Sequence, residues 1–301
     1  MANVRELRRR IKSVKNIAQV TRAMQMVAAS KMRRAQEQVL ATRPYTAKAW
    51  QILVHLTDQH GAERTLHPLL TTREDVHAIG LVLITSDKGL CGAYNHNIIR
   101  EAVTFVNQRS QPVRLITVGS RGREFMSRYR VQLLADCSEM PGRPSSNDIR
   151  PLARTVIDGF LHGDFDEVHL AYTEFDNTLI QRPVVRHLLP MSPKHVGDMI
   201  ASKHTAVDQV EIKGEYIYEP NAEEILGAVL YRFTELQIYQ AVLESLASEH
   251  SARMVSMRSA TENASQLIDD LTLSFYRARQ EAITTEMIDI AGGAEALRSD
   301  S

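Results

Sequence analysis

The sequence predicts an α/β fold: a central Rossmann-like α/β domain joined to a long antiparallel two-helix coiled coil built from the N- and C-terminal helices. Three observations carry this. Residues 3–43, and the stretch between Gly227 and Gly292, contain no Gly or Pro. All ten prolines lie between Pro44 and Pro220, together with eleven of the fourteen glycines. Between those breakers, short apolar runs alternate with helical patterns, as in a largely parallel sheet with crossover helices.

In the C-terminal stretch, alternating steps of three and four pass through Leu226, Val229, Phe233, Leu236, Gln240, Leu243, Ala247, His250, Met254, Met257, Thr261, Ala264, Ile268, Leu271, Phe275, Ala278, Ala282 and Thr285. Only Gln240, His250, Thr261 and Thr285 interrupt an apolar series. A repeat of about 3.5 residues held that long marks a coiled coil rather than an ordinary amphipathic helix. At about 1.5 Å per residue, residues 226–285 predict a helix of roughly 90 Å, longer than any compact domain this chain could form. One end of it must therefore leave the globule, either bare or sheathed by other chains.

The N-terminal stretch offers Val4, Leu7, Ile11 and Val14, then Ile17, Val20, Met24 and Val27. Joining the two sets requires one three-residue slip near Val14, which would locally overwind the pair. Pro44 marks a kink, with the helix resuming to about residue 57. Charge supports pairing of the two ends. Residues 1–43 hold eleven Lys or Arg against Glu6 and Glu37, a local +9; residues 221–301 hold thirteen acidic against six basic side chains, a local −7. Complementary charge beside an apolar seam selects partner and direction.

The middle reads as strand 76–85, helix 95–109, strand 113–118, helix 121–128, strand 131–135, helix 148–162, and strands 167–175 and 183–189. A loop over 191–210 and a last strand over 211–218 follow. The resulting organisation is an N-terminal shaft helix over 1–57, a central α/β domain over 75–215 and a C-terminal shaft helix over 221–297.

Several function classes lose ground. The longest apolar run, residues 79–84, is too short to span a bilayer, and residues 1–10 lack the apolar core of a secretory signal. Cys91 and Cys137 lack metal or disulfide spacing and read as two reduced thiols. No His, Asp and Glu set shows metal-ligand spacing, so no metal and no cofactor is expected. The turn Asp87-Lys88-Gly89-Leu90-Cys91-Gly92 follows the first strand of an α/β unit, where nucleotides often bind, but it is neither GxGxxG nor a phosphate-cradling loop. It reads as a structural turn in which Gly89 and Gly92 supply permissive backbone. His250 reads as a packed or paired core histidine. The basic helix from Arg5 to Arg34 shares its length with a continuous apolar face, and an acidic partner helix sits in the same chain. It therefore reads first as a solvated or pair-facing charged surface, next as a contact for acidic protein surfaces, and only then as a nucleic-acid binder. The competing class is a dinucleotide-binding α/β enzyme dimerised by a coiled coil.

Two segments are specific: Thr21-Arg22-Ala23-Met24-Gln25-Met26-Val27-Ala28-Ala29-Ser30-Lys31-Met32, and Ile283-Thr284-Thr285-Glu286-Met287-Ile288-Asp289-Ile290-Ala291-Gly292-Gly293-Ala294. With the turn at Asp87 to Gly92 and the run Leu246-Ala247-Ser248-Glu249 followed by Ala252-Arg253-Met254, they closely resemble the gamma subunit of F-type ATP synthases. The likeness runs the length of the chain in the right order. Gln25 stands where members often carry Glu. The short segment around Cys137 differs from the redox-regulated chloroplast members.

The resemblance implies a non-catalytic central-stalk rotor that transmits torque between a proton-driven membrane ring and a catalytic head, coupling proton flow to ATP synthesis or hydrolysis. The implied partners are three alpha and three beta subunits, the epsilon subunit and the ring of c subunits. The implied place is the cytoplasmic face of the cell membrane, peripherally. Met24, Lys31, Arg279, Gln280 and Thr284 match positions facing the beta subunit. Ile283, Met287, Ile288, Ala291 and Leu297 match a greasy bearing tip. Tyr216, Tyr218 and Glu219 match the side facing the rotor ring and epsilon.

Overall fold

Both breaker-poor ends are helical in the structure, a computed structural model that describes residues 4–59, 67–73, 75–129, 131–191 and 222–299. Helix α1 runs Val4–Gln59 and the last helix, α5, runs Ala222–Ser299. Between them lie β1 (Ile79–Ile84), α2 (Tyr94–Asn107), β2 (Val113–Val118), α3 (Ser120–Met126), β3 (Gln132–Cys137), α4 (Ser146–His162), β4 (Glu167–Phe175) and β5 (Gln181–Leu189). The expected loop over 191–210 and strand over 211–218 fall, apart from Met191, outside the described residues.

α1 continues through Pro44, and α5 passes through both Gly227 and Gly292-Gly293. A helical Gly costs only about 1 kcal/mol relative to Ala, and Ala291, Ala294 and Ala296 are strong formers that carry the helix across the pair. Among the described residues no helix is long and apolar enough to cross a membrane.

The chain divides into two compact units. One holds residues 29–253, the other residues 1–28 with 254–301. In the first, the described residues form one five-stranded sheet in the order β3-β2-β1-β4-β5. β1 pairs in parallel with β2 and β4, β2 in parallel with β3, and β5 returns antiparallel to β4, at the sheet's edge among the described residues. Strands β1 and β4 are buried on both faces, as helix-covered parallel strands are.

One face of the sheet presents Leu81, Leu83 and Leu115 to Ile98 and Ala102 of α2 and Met126 of α3. The other presents Val82, Ile84, Ile116, Leu170 and Tyr172 to Val156 and Phe160 of α4 and to Phe233, Val242 and Leu243 of α5. A Cβ on Gly159 of α4 would stand 2.5 Å from the Phe165 ring. Gly159→Ala is therefore expected to cost about 1–3 kcal/mol by overpacking, read as a lower urea midpoint; an unchanged midpoint would refute the close approach.

The single apolar stripe expected of α5 does not describe this unit. Residues 233–251 are buried nearly all round, and Leu236 and Gln240 of the expected seam are less buried than Glu235, Gln237 and Ile238 beside them. The reason is that the sheet and α4 cover the helix as well as α1, so faces that a two-helix pair would leave wet are dry. Several buried polar groups there find partners. The Ser245 hydroxyl accepts from Thr173 N at 3.2 Å, and the Ser248 hydroxyl donates to Thr173 O at 3.2 Å. Glu235 accepts from the Ser146 hydroxyl at 2.9 Å and from Arg232 at 2.9 Å.

In the second unit the two helices lie antiparallel. Thr21 and Thr261 share a hydroxyl–hydroxyl hydrogen bond at 2.8 Å, while Val4 lines a groove with Ala278, Gln280 and Thr284. Rising numbers on one helix meet falling numbers on the other. The α5 seam is the one its sequence predicts: Met257 and Ala264 are buried, and Met254, Thr261, Ile268, Leu271, Phe275 and Ala278 are half-buried.

The α1 seam is not. It keeps a strict three-four step through Val4, Leu7, Ile11, Val14, Ala18, Thr21, Gln25 and Ala28, without a slip. Ile17, Val20, Met24 and Val27 are left 52%, 54%, 40% and 56% exposed. Holding one phase preserves the interlock, and the small side chains of Ala18, Thr21 and Ala28 leave room for the helices to approach. A slip to reach larger side chains would break that register.

Candidate functional site

Two places combine specific geometry with the segments the sequence singles out. The first is the turn after β1. Ser86 N donates to the Asn95 side-chain oxygen at 3.0 Å. The Asp87 carboxylate accepts from Ser120 N at 2.9 Å and from Glu139 N at 3.2 Å. These bonds hold the turn against α2, α3 and the segment after β3. Positive φ falls on Leu90 (61°) and Gly92 (57°) rather than on Gly89 and Gly92, so an ordinary side chain carries one of the two left-handed positions.

Arg253 of α5 reaches this turn. It donates to Lys88 O at 3.0 Å and to Gly89 O at 3.2 and 3.3 Å, and it pairs with Glu249 Oε1 at 2.6 Å. The guanidinium thus ties two backbone carbonyls of the turn to a buried carboxylate one helical turn back. Burial pushes Glu249 above the ordinary carboxylate range, against the pull of Arg253. Arg253 also approaches His250 Nδ1 at 3.2 Å; since arginine only donates, the His250 proton resides on Nε2. His250 is a buried, paired core residue, as its place on α5 suggested.

Burial, followed by the charges of Arg253 and Lys31, lowers the His250 pKa from 6.5 to about 4. Folding therefore favours the neutral ring. Its contribution is complete above pH 6.5 and declines as pH falls toward 4, because the unfolded chain takes up the proton first. The gap between 6.5 and about 4 corresponds to about 3 kcal/mol. Between pH 6.5 and 4 the urea midpoint of the native chain is expected to fall more steeply than that of His250→Gln; parallel slopes would contradict this.

The crevice at the carboxyl ends of β1 and β2 has a volume of about 220 Å³ and is bordered by Lys31, Asp87, Tyr94, Glu249, His250 and Arg253. α/β folds place ligands beyond the carboxyl ends of their strands. Here α5 occupies that ground, and the remaining space falls below the roughly 300 Å³ at which ligand pockets begin. Cys91 is buried, accepts from the Asn95 side-chain amide at 3.3 Å, and has its thiol pKa raised by burial. A nucleophilic thiol needs the opposite shift.

The second place is the surface of the two-helix unit. Beyond Ala278, every α5 side chain described, through Gly292, is exposed. Ile283, Met287, Ile288 and Ile290 are 47%, 62%, 64% and 68% exposed, with no covering layer among the described residues. Ala291 is exposed as well, while the Leu297 side chain lies outside what is described. Arg279, Gln280 and Thr284 are exposed, and Gln280 and Thr284 border the groove with Val4. Met24 lies on the α1 stripe with Ile17, Val20 and Val27. Lys31, in the other unit, is exposed, with its Nζ 3.7 Å from where a Cβ on Gly142 would stand. Tyr216, Tyr218 and Glu219 lie outside the described residues.

Sequence reading found Met24 by its motif but set it on the buried seam. Only the phase of the pair shows that Met24 faces outward while Thr21, Gln25 and Ala28 of the same motif form the seam. It missed Arg253 as a clamp, since the carbonyls it holds lie 164 and 165 residues away in sequence. Apolar groups this exposed mark an interaction surface.

A family model described as ATP synthase matches residues 3–297. ATP synthase gamma chains of Roseiflexus castenholzii and Chloroflexus aurantiacus are each 46% identical to this chain, over 300 and 302 residues, with at least 99% of both chains covered. That of Herpetosiphon aurantiacus is 46% identical over 306 residues. Among solved structures, a chain of the Tetrahymena thermophila mitochondrial ATP synthase central stalk and c-ring is 26% identical with a TM-score of 0.60, covering 80% of this chain and 99% of its own. A chain of the Euglena gracilis mitochondrial ATP synthase shares the fold at 18% identity and a TM-score of 0.64, covering 98% of this chain and 95% of its own. The chain belongs to the ATP synthase gamma chain family.

Proposed function

We propose that this gamma chain is the torque-bearing shaft of a rotary ATP synthase, with residues 1–57 and 221–297 as the shaft and 75–215 as its foot. The observation that carries the reading is the two-helix surface: an antiparallel pair whose α5 helix continues past Ala278 with its large apolar side chains exposed. Naked, that surface is an aggregation liability; within a low-adhesion collar it is a bearing. Ile283, Met287, Ile288, Ala291 and Leu297 form the bearing. Met24, Lys31, Arg279, Gln280 and Thr284 meet the beta subunits. Tyr216, Tyr218 and Glu219 face the rotor ring of c subunits and the epsilon subunit, on the cytoplasmic face of the cell membrane.

The mechanism is mechanical. A shaft whose sides differ presents each of three beta subunits with a different contact pattern, and each pattern favours one conformation, so rotation moves three nucleotide sites through their states in turn. Bonds are made and broken on beta, not on the shaft. A proton crossing the membrane supplies about 2.3 kcal/mol per 100 mV, so several must accumulate for each ATP. Joints such as the Arg253 clamp must hold without slipping meanwhile.

Affinity purification of the native chain from a solubilised membrane tests this. It is expected to bring down six larger nucleotide-binding subunits in two kinds, three of each, with epsilon and the c-ring. Recovery of a chain that binds a dinucleotide by equilibrium dialysis, without those subunits, would overturn the reading in favour of the coiled-coil enzyme.

A further inference from the structure

We propose that Glu167, His169 and His187 form a binding site for one borderline divalent transition-metal ion, of which Zn(II) is the type, on the β4–β5 ribbon. The inference does not depend on the rotary role.

Strand geometry assembles the set. Alternate residues of a strand share a face, so Glu167 and His169 of β4 project together. β5 runs antiparallel beside β4, and the register places His187 directly opposite His169. Directly opposed residues bring their Cβ atoms to about 4.5–5.5 Å, the closest approach a sheet offers two side chains. The outcome is one ligand atom from each residue, all within 4.8 Å of one another. His169 Nε2 lies 3.2 Å from Glu167 Oε2, and the two imidazole rings lie 5.0 Å apart.

These distances suit a metal. Around a tetrahedral ion with ligands about 2.0–2.1 Å away, neighbouring ligand atoms stand about 3.3 Å apart. The His169–Glu167 edge already has that length, and the remaining closure is within reach of side-chain rotation. Glu167 is partly exposed and provides an entry path, whereas His169 is buried against the Phe105 ring of α2 at 4.8 Å. Two imidazoles and one carboxylate select Zn(II), Co(II), Ni(II) or Cu(II) over Mg(II) or Ca(II), which want an all-oxygen shell. Three protein ligands leave a fourth position for water. A bound ion would cross-link β5, which among the described residues has a sheet neighbour on one side only, to β4.

Sequence spacing could not reveal the site. Glu167-x-His169 is a common pair, and His187 joins it only through the hairpin register.

The test is titration of the untagged full chain with Co(II), followed by displacement with Zn(II). The expected result is one equivalent of Co(II) giving the visible absorption of a tetrahedral complex, bleached by Zn(II), with no near-ultraviolet thiolate band that would point to Cys91 or Cys137. Glu167→Gln keeps the shape of a partly exposed side chain, and His187→Gln removes one imidazole. Each is expected to weaken binding more than about 100-fold, beyond the loss usual for groups that only support a ligand. Circular dichroism verifies that both variants are folded. No stoichiometric binding to the native chain, or undiminished binding in either folded variant, overturns the proposal.

Discussion

Arg253→Ala is expected to lower the unfolding free energy of the chain by about 3–5 kcal/mol, the cost of stripping the partner from a buried charge. Arg253 holds three acceptors at once: Lys88 O, Gly89 O and Glu249. Lysine has one compact head and cannot reproduce that fork, so Arg253→Lys should recover little. The decisive comparison is the double variant Arg253→Ala with Glu249→Gln. Because the penalty is mostly that of an unpaired buried carboxylate, neutralising Glu249 should return a substantial part of the loss, as an interaction energy well outside additivity. Glu249 also sets the sign with pH. Burial raises its folded pKa, so it favours folding most at low pH and progressively less as pH rises through that value. Removing Arg253 strengthens this trend, and the loss should be larger at pH 8 than at pH 5. Urea titrations at the two pH values measure it. A loss below 1 kcal/mol at both would show that the guanidinium is not the clamp.

Arg279→Ala combined with Gln280→Ala is expected to do the opposite: change stability by no more than about 0.5 kcal/mol, as exposed positions do, and cut ATP synthesis by the assembled complex on the order of tenfold. Both side chains are exposed on α5, beyond the last half-buried position at Ala278. Nothing in their own unit needs them. If they hold a loop of a beta subunit, they act as interface anchors, and such anchors cost 2 kcal/mol or more when truncated. Proton pumping driven by ATP hydrolysis in reconstituted vesicles is the second readout, since it separates lost coupling from lost assembly. Met24→Lys belongs to the same experiment. It places a cation in the exposed apolar stripe of Ile17, Val20 and Val27, and pumping per ATP should fall. Full synthesis by the double variant, with unchanged pumping in Met24→Lys, would remove these residues from the contact.

Much of the fold was open to reading because breakers and periodicity act locally. β2 and β4 occupy the spans their apolar runs predict, and the α5 seam from Met254 to Ala278 follows its own repeat. The errors share one cause. Hydropathy placed Ile17, Val20, Met24 and Val27 in the seam because they are the larger apolar side chains; the pair instead closes on Ala18, Thr21 and Ala28. Glu235, Glu244 and Glu249 lie off the α5 seam that the repeat predicts, yet they are buried where the sheet covers the helix. A repeat describes one helix, and which side meets which neighbour depends on all the neighbours at once.

The order of residues alone thus decided the two long helices, the parallel sheet between them and the gamma chain family, since Gly and Pro placement, hydrophobic period and short motifs are properties of neighbouring positions. The tertiary structure alone decided which stripe of α1 is left bare, that Arg253 grips the turn after β1, and that His187 stands opposite His169. Each of these joins residues distant along the chain, and their meeting is set by packing and strand register rather than by any local preference.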